Sequence, residues 1–403
     1  MKPVRVTVKR GENMLKKNSV QEYLDHIVEC KEVAGINILI QKSGEDLLYA
    51  ESGYSDIVSE KPISRDTIFR MYSMTKPITA AAVMMLVEKG LIGLGEPVKK
   101  YIPGFKDQMI YSNGKAVPVS RPAYIKDLMS MTSGLPYPNR EGCAAEKRVQ
   151  EVFDLIDEGL YTDGELSTLE IANRLGEAGV MFQPGSAWAY GTSADILGTI
   201  VEIAGGMPFG EFLAENIFKP LEMDDTGFCV SDDKLNRLAS VYERRNGELE
   251  LFKTRNLGIR YEAKGQPAFE SGGAGLMSTL DDYSHFARML LDLGVYKGRR
   301  ILNEKTVEYM ASSILPPHLQ ESLTCSWDSL CGYSYGCLMR KYISPQMAYH
   351  MTFQGEYGWD GWLGTFFENL PTHGITMLMG MQLSDPEGNF ISEKIRNLIH
   401  PML

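Results

Sequence analysis

Ser73 and Lys76 are the first residues whose types and spacing could do chemistry. They stand three positions apart in Ser73-Met74-Thr75-Lys76, at the start of a strongly apolar helical segment, so both side chains share one face of a helical turn. A serine hydroxyl becomes a good nucleophile when a neighbouring base takes its proton, and a lysine can be that base when its pKa is lowered. The pair predicts a nucleophilic serine; the alternative is a helix N-cap serine beside an exposed lysine.

Tyr190 is a candidate proton-transfer group. It follows the turn-forming Pro184-Gly185 and precedes a helix predicted to begin near Ser193, so its hydroxyl stands at a loop–helix junction. With the Lys76 ammonium nearby, the phenol could relay a proton from Ser73 to a leaving group. The alternative is a tyrosine that only packs.

A third candidate segment is Trp359-Asp360-Gly361-Trp362, which opens a predicted strand. A strand edge beside the nucleophile could donate a backbone N–H to a developing oxyanion, with the N–H of Ser73 as the second donor. Gly361 has no Cβ, so a substrate could approach the backbone closely. The alternative is a β-turn in which Asp-Gly merely reverses the chain.

Ser334 is a rival nucleophile because Gly332-Tyr333-Ser334-Tyr335-Gly336 matches the GxSxG pattern. That pattern requires a strand, a sharp turn and a helix, with an acid and a histidine following. Asp360 and His373 do follow, but the residues after Ser334 have the pattern of a strand. We interpret the segment as an aromatic edge strand that lines the pocket, from which Tyr335 could contact substrate.

The elements that must position these residues are strands near both ends and helices between them. Hydrophobic periodicity predicts helices at 20–33, 74–89, 168–178, 193–204, 281–293 and 389–400, and strands at 36–42, 46–50, 333–342, 347–353, 362–368 and 374–381. This order favours an α+β fold with one antiparallel sheet built from both termini, flanked by helices, and an inserted mostly helical region. We expect a single domain over 1–403, with an α/β part at about 20–72 and 311–403 and a helical part at about 73–310.

The chain resembles the β-lactamase/penicillin-binding protein superfamily over about residues 20–400. It is most similar to the class C-like branch, with the family VIII carboxylesterases and the statin-type acyltransferases. The segments that carry the resemblance are DTIFRMYSMTKPIT (66–79), GLIGLGEPVKKYIPGF (90–105), IKDLMSMTSGL (125–135), FQPGSAWAYGTSADILG (182–198), IFKPLEMDDTGF (217–228) and GGAGLMST (272–279). Their order and spacing along the chain make the set specific, and they imply a β-lactamase/transpeptidase-like fold.

The resemblance also implies roles for the candidate residues. Ser73 would be the acylated nucleophile, Lys76 the general base and Tyr190 the proton-transfer partner. Trp359-Asp360-Gly361 occupies the place of the family's third motif, so the N–H groups of Ser73 and Trp362 would form the oxyanion hole.

Two departures from the family bear on the substrate. Members that process β-lactams usually carry Lys-Thr-Gly at the third motif, where the cation binds a carboxylate; Trp359 cannot do so, and Asp360 would repel it. They also commonly carry Tyr-x-Asn, whereas Thr192 here offers only a hydroxyl. We expect an acyl-enzyme serine hydrolase, a carboxylesterase or acyltransferase on neutral apolar acyl esters. The alternatives are a β-lactamase or D-Ala-D-Ala-type peptidase, and a catalytically silent binding protein on the same fold.

The composition limits the partners. A net charge of −11 over 403 residues disfavours nucleic acid and anionic membrane surfaces, and no stretch of 18 apolar residues or secretory signal is visible. The six cysteines are scattered and the six histidines show no metal-ligand spacing. We therefore expect a cytoplasmic protein with reduced thiols, no metal and no cofactor, acting on a small-molecule acyl ester. The oligomeric state stays open.

Overall fold

The main sheet is built from both ends of the chain. A computed structural model describes residues 14–112, 115–384 and 390–403. Within these ranges, one antiparallel sheet of eight strands is formed, and its first strand, Gly35–Lys42, pairs directly with its last, Ile375–Met381. The other strands are Glu45–Asp56, Lys61–Pro62, Tyr333–Tyr335, Arg340–Tyr342, Tyr357–Asp360 and Phe366–Leu370. The predicted fold class is thereby confirmed.

Both faces of the sheet are covered by other parts of the protein. Successive residues of a strand point to opposite faces, so each strand contributes to two cores. Ile36, Ile38 and Ile40 pack on one face with the terminal helices Met14–Glu29 and Ile391–Ile399. On the other face Leu39, Phe367 and Leu378 join the core of the helical region. The continuous apolar run INILI is therefore the pattern expected of a strand that is covered on both sides.

The inserted region contains most of the helices. Its central helix, Thr75–Glu88, is buried over nearly its whole length and packs against Ser193–Gly205. The remaining helices of this region are Ile125–Met129, Ala144–Gly159, Thr168–Ala178, Phe209–Leu213, Lys219–Leu221, Leu280–Leu291, Glu304–Met310 and Gln320–Ser326. Short strands accompany these helices. Phe69–Arg70 pairs with Met277–Ser278, Met109–Ser112 with Lys115–Pro118, and Val295–Tyr296 with Arg299–Arg300. Tyr242–Arg245 pairs with Glu248–Leu251 on one side and with Leu383–Ser384 on the other.

No single helix in the described ranges is both long enough and apolar enough to cross a membrane, although the bent pair Ser193–Gly205 and Phe209–Leu221 meets that test jointly.

The division of the chain into two parts of one domain remains a prediction. The first predicted helix begins earlier than expected, at Met14, and the first position of the last predicted helix, 389, lies outside the described residues.

Two strand predictions near the carboxyl end are wrong. Segment 347–353 forms no strand, because Met347, Tyr349 and Met351 are exposed and the Met351 N–H donates to Asn397 instead of to a sheet neighbour. Segment 333–342 is a hairpin of two strands, since the Gly336 N–H donates to the Met339 carbonyl and turns the chain.

The strand predicted at 362–368 is shifted. Strand Tyr357–Asp360 comes first, the chain then turns through 361–364, and the next strand begins at Phe366. The Trp359-Asp360-Gly361 segment therefore ends one strand and does not open another. Apolar residues on both sides of the turn gave the sequence a continuous strand pattern.

Candidate active site

Ser73 enters the central helix through a tight turn. Tyr72–Met74 forms a single 3₁₀ turn directly before helix Thr75–Glu88, and Tyr72 adopts φ 43°, a left-handed conformation that is uncommon for a residue with a side chain. Strain of this kind is often held at functional sites. The Met71 N–H donates to Leu276, which fixes the turn against the neighbouring strand pair. Ser73 is 9% exposed and opens into a pocket.

Lys76 is the partner of Ser73. Its Nζ lies 3.0 Å from the Ser73 Oγ, and it also donates to the Tyr137 Oη and the Gly273 carbonyl, each at 2.8 Å. The side chain is fully buried. Desolvation lowers the pKa of Lys76 to about 7, although the charges of Asp195 and Asp360 oppose this shift. Near neutral pH a substantial fraction of Lys76 is therefore uncharged and able to accept a proton.

Asp195 fixes the loop that faces Lys76. One oxygen of its buried carboxylate accepts hydrogen bonds from the Ser271 hydroxyl at 2.6 Å and from the Gly273 N–H at 3.0 Å. The carbonyl of the same Gly273 accepts from Lys76. Helix Ser193–Gly205 thus positions the lysine through this loop, and the negative charge of Asp195 favours the ammonium form.

Two tyrosines surround the amine. The ring centroid of Tyr190 lies 4.7 Å from the Lys76 Nζ, and its Oη accepts a hydrogen bond of 3.1 Å from the indole N–H of Trp359. Tyr137 accepts from Lys76 directly. Desolvation raises the pKa of both phenols, and hydrogen bonding to Ser73 opposes that rise. Sequence reasoning missed Tyr137; the available signal was its place two residues after the family-like segment ending at Leu135.

Gly361 brings the turn at 361–364 against the chain that precedes Ser73. A Cβ on Gly361 would lie 2.4 Å from the Met71 carbonyl oxygen and 2.1 Å from the Thr365 Oγ1. The glycine is therefore needed for close packing of two backbone segments, and its proposed role in admitting the substrate stays a prediction. Within the described residues neither the Ser73 N–H nor the Trp362 N–H has an acceptor, so both donors are free.

The other predicted residues are distributed around this centre. Trp362 is 43% exposed on the pocket wall, and Trp359 is buried behind Tyr190. Tyr335 lies deeper still, with its ring 5.2 Å from that of Trp359, and it does not reach the wall. Thr192 is fully buried at the start of helix Ser193–Gly205 and also lies off the wall.

Asp360 reaches the pocket with its charge already paired. The Arg340 Nη1 donates to it at 2.9 Å, while Arg340 Nε binds the buried carboxylate of Glu356 and Nη2 binds the Phe367 carbonyl. Desolvation raises the pKa of Asp360, and Arg340 opposes that rise. Every nitrogen of this arginine is thus occupied within the protein, and Arg340 offers no free cation to a ligand.

The pocket in front of Ser73 has a volume of about 350 Å³ and a mainly aromatic wall. The side chains that form most of it are Tyr72, Tyr137, Tyr190, Leu257, Trp327 and Trp362. Asp360 is its one carboxylate, and no lysine, arginine or histidine lines it among the described residues. Such a site suits an apolar, uncharged group.

The rival Ser334 lacks the partners of a nucleophile elbow. It is buried in strand Tyr333–Tyr335, and its Oγ lies 2.6 Å from the Ser313 Oγ. Asp360 pairs with Arg340, and the His373 Nδ1 lies 2.9 Å from the hydroxyl of the adjacent Thr372. The structure therefore does not bring these residues together as a triad.

Comparison with known proteins identifies the family and the fold of the chain. The Beta-lactamase family profile matches residues 20–399. Protein Rv1367c of Mycobacterium tuberculosis is 30% identical over 82% of this chain and 81% of its own length. Esterase EstB of Burkholderia gladioli is 31% identical over 64% of this chain and 66% of its own length. Simvastatin synthase LovD of Aspergillus terreus has the same fold, with a TM-score of 0.79, 21% identity and coverage of 98% of this chain and 99% of LovD.

Proposed function

The chain belongs to the Beta-lactamase family, and from this membership and the geometry of the site we propose that it is a serine carboxylesterase or acyltransferase that forms an acyl-enzyme on Ser73. One observation carries the proposal: the Nζ of a fully buried Lys76, with its pKa near 7, lies 3.0 Å from the Ser73 Oγ. A base within hydrogen-bond reach of a nucleophile is the central requirement for covalent catalysis by serine. The esterase name of the relative EstB supports the same reaction class.

The reaction follows from the positions of the groups. Neutral Lys76 accepts the proton of Ser73, and the Ser73 Oγ forms a bond to the ester carbonyl carbon. The carbonyl oxygen becomes an oxyanion that the N–H groups of Ser73 and Trp362 stabilise. The ester C–O bond then breaks, and Tyr190 donates a proton to the leaving alcohol and regains one from Lys76. Water completes hydrolysis in a second displacement, and an acceptor alcohol completes transfer.

The pocket favours neutral esters over β-lactams. A β-lactam carboxylate would meet an aromatic wall and Asp360, and within the described part of the pocket wall it would meet no cation. An unpaired charge in a desolvated site is costly. Small-molecule acyl esters are thus the proposed substrates, and a cytoplasmic location remains a prediction from the sequence.

The substrate proposal predicts a large difference in kcat/KM between two chromogenic substrates. A pair of buried charges can contribute ~2–5 kcal/mol, so p-nitrophenyl butyrate should exceed a free-acid cephalosporin by ~10²-fold or more. The methyl ester of the same cephalosporin is the matched control, and its β-lactam ring should open faster than that of the free acid. Faster cleavage of the free acid than of the butyrate would indicate a β-lactamase, and no turnover of any ester would favour a silent binding protein.

The two tyrosines are expected to differ in effect. Tyr190→Phe removes the proposed proton donor to the leaving group and should lower kcat by ~10²-fold. Tyr137→Phe removes hydrogen bonds to Lys76 and Ser73 and should cost about 10-fold, because the active form of Lys76 is neutral and a hydrogen bond between neutral groups contributes only ~0.5–1.5 kcal/mol. Steady-state rates on p-nitrophenyl butyrate measure both. A larger loss for Tyr137→Phe than for Tyr190→Phe would assign the relay to Tyr137.

A further inference from the structure

A second cavity lies beside the catalytic pocket. Its volume is about 390 Å³, and it opens to the surface between segments 235–241 and 251–264. Phe252 lines this cavity and packs edge-on against Trp362 of the catalytic pocket, with ring centroids 5.5 Å apart. The two cavities are therefore neighbours that share a wall, and no residue is common to both linings.

Arg70 reaches this cavity as a buried cation, and the negative charge of Glu262 acts on it without a direct ion pair. Arg70 is only 4% exposed, and its two terminal nitrogens donate to the carbonyls of Ala239 and Tyr261. Its Nε–H has no acceptor, and no carboxylate among the described residues forms an ion pair with it. A buried charge normally has a partner of opposite sign, because removing it from water is costly.

Two phenols near Arg70 are also without partners. The guanidinium lies 4.6 Å from the ring centroid of Tyr261, and it interacts electrostatically with both Tyr261 and Tyr72. The Oη atoms of these two tyrosines are buried and make no hydrogen bond within the described residues. Buried polar groups are nearly always hydrogen-bonded, so these two hydroxyls together with the Arg70 Nε–H indicate that something polar binds there.

The mouth of the cavity is positive in a chain of net charge −11. Lys253 and Lys264 stand exposed at the mouth. The one carboxylate in the lining, Glu262, accepts a hydrogen bond from the Tyr161 hydroxyl. The remaining lining is mostly apolar, with Leu235, Leu238, Leu251 and Phe252 among its members.

We infer that this cleft binds a small carboxylate joined to a short apolar group. The carboxylate would accept from the Arg70 Nε–H and from a free N–H on the same guanidinium edge, since only two of the five N–H groups of Arg70 are occupied by carbonyls. Lys253 and Lys264 would attract the anion, and the leucines and Phe252 would bury the apolar group. This inference does not depend on the role of Ser73.

Calorimetric titration of the full protein with hexanoate tests the site. Hexanoate should bind at least ~10-fold more tightly than hexan-1-ol, which lacks the charge. The double variant Lys253→Gln/Lys264→Gln should weaken hexanoate binding by ~5-fold or more, since two exposed charges at the mouth are removed. The matched control Lys99→Gln/Lys106→Gln changes the net charge equally at exposed positions outside the lining of this cavity and should leave binding within about twofold.

Arg70→Lys should reduce the difference in affinity between hexanoate and hexan-1-ol, because lysine keeps the charge but lacks the planar fork; if this variant fails to fold, the double variant still decides the question. Equal affinity for the acid and the alcohol would overturn the inference and leave ordered water as the partner of Arg70. A second contradicting result is competitive inhibition of ester turnover by hexanoate, with a Ki that equals the Kd and that the double variant does not change. This result would place the carboxylate in the catalytic pocket and overturn the inference. Inorganic phosphate serves as a further probe: binding as tight as that of hexanoate would contradict the need for an apolar group.

Discussion

Lys76→Met is expected to lower kcat/KM on p-nitrophenyl butyrate by ~10²–10⁴-fold, the usual contribution of a general base. Methionine fills a similar volume in the buried site but accepts no proton, so the Ser73 hydroxyl would keep its proton. The matched control is Lys89→Met, since Lys89 directly follows the same helix and is exposed, and its rate should stay within about twofold of wild type. A folded Lys76→Met protein with a near-wild-type rate would remove lysine from the mechanism.

The same lysine sets the expected pH dependence of the wild-type enzyme. The free base is the active form, and the pKa of Lys76 lies at about 7, so kcat/KM should rise with pH and level off above that value. Below pH 7 the rate should fall about tenfold per pH unit as the amine becomes protonated. Lys76→Met should lose this dependence. A wild-type profile that is flat from pH 5 to 9 would contradict the assignment of Lys76 as the base.

Ser73→Ala should reduce ester turnover by at least ~10⁴-fold, because the group that forms the acyl-enzyme is removed. Ser334→Ala is the matched control. It loses one hydrogen bond to Ser313, which costs about 1 kcal/mol of folding free energy, and its turnover should stay close to wild type. Steady-state rates and thermal unfolding of both variants make the comparison. A larger loss of turnover in Ser334→Ala than in Ser73→Ala would identify Ser334 as the nucleophile.

Much of the fold was predictable because its strongest signals are local and periodic. The apolar run at 36–42 predicted a strand and the apolar segment after Ser73 predicted a helix; both are present, and both are buried. The family resemblance and the sheet built from both termini are confirmed. The turn at 361–364 was missed, since Trp359 and Trp362 give the same apolar pattern in a strand as beside a turn.

The electrostatics of the site could not be predicted from sequence. Arg340 lies 20 positions from Asp360 in the sequence, and only the sheet register brings them into a hydrogen bond of 2.9 Å. Asp360 was expected to act as a free negative charge, and this pairing reduces its effect. Likewise, the contact of Tyr137 with Lys76 depends on a loop whose path no local pattern indicates. The catalytic roles of Ser73, Lys76 and Tyr190 remain predictions.

Covalent labelling with a fluorophosphonate tests the central claim most directly, since the probe reacts with an activated serine next to a base and an oxyanion hole. Intact mass followed by peptide mapping should find one adduct per chain, on the peptide that contains Ser73. Ser73→Ala should be unlabelled and Ser334→Ala should label normally. An adduct on Ser334 that persists in the Ser73→Ala protein would contradict the proposed nucleophile.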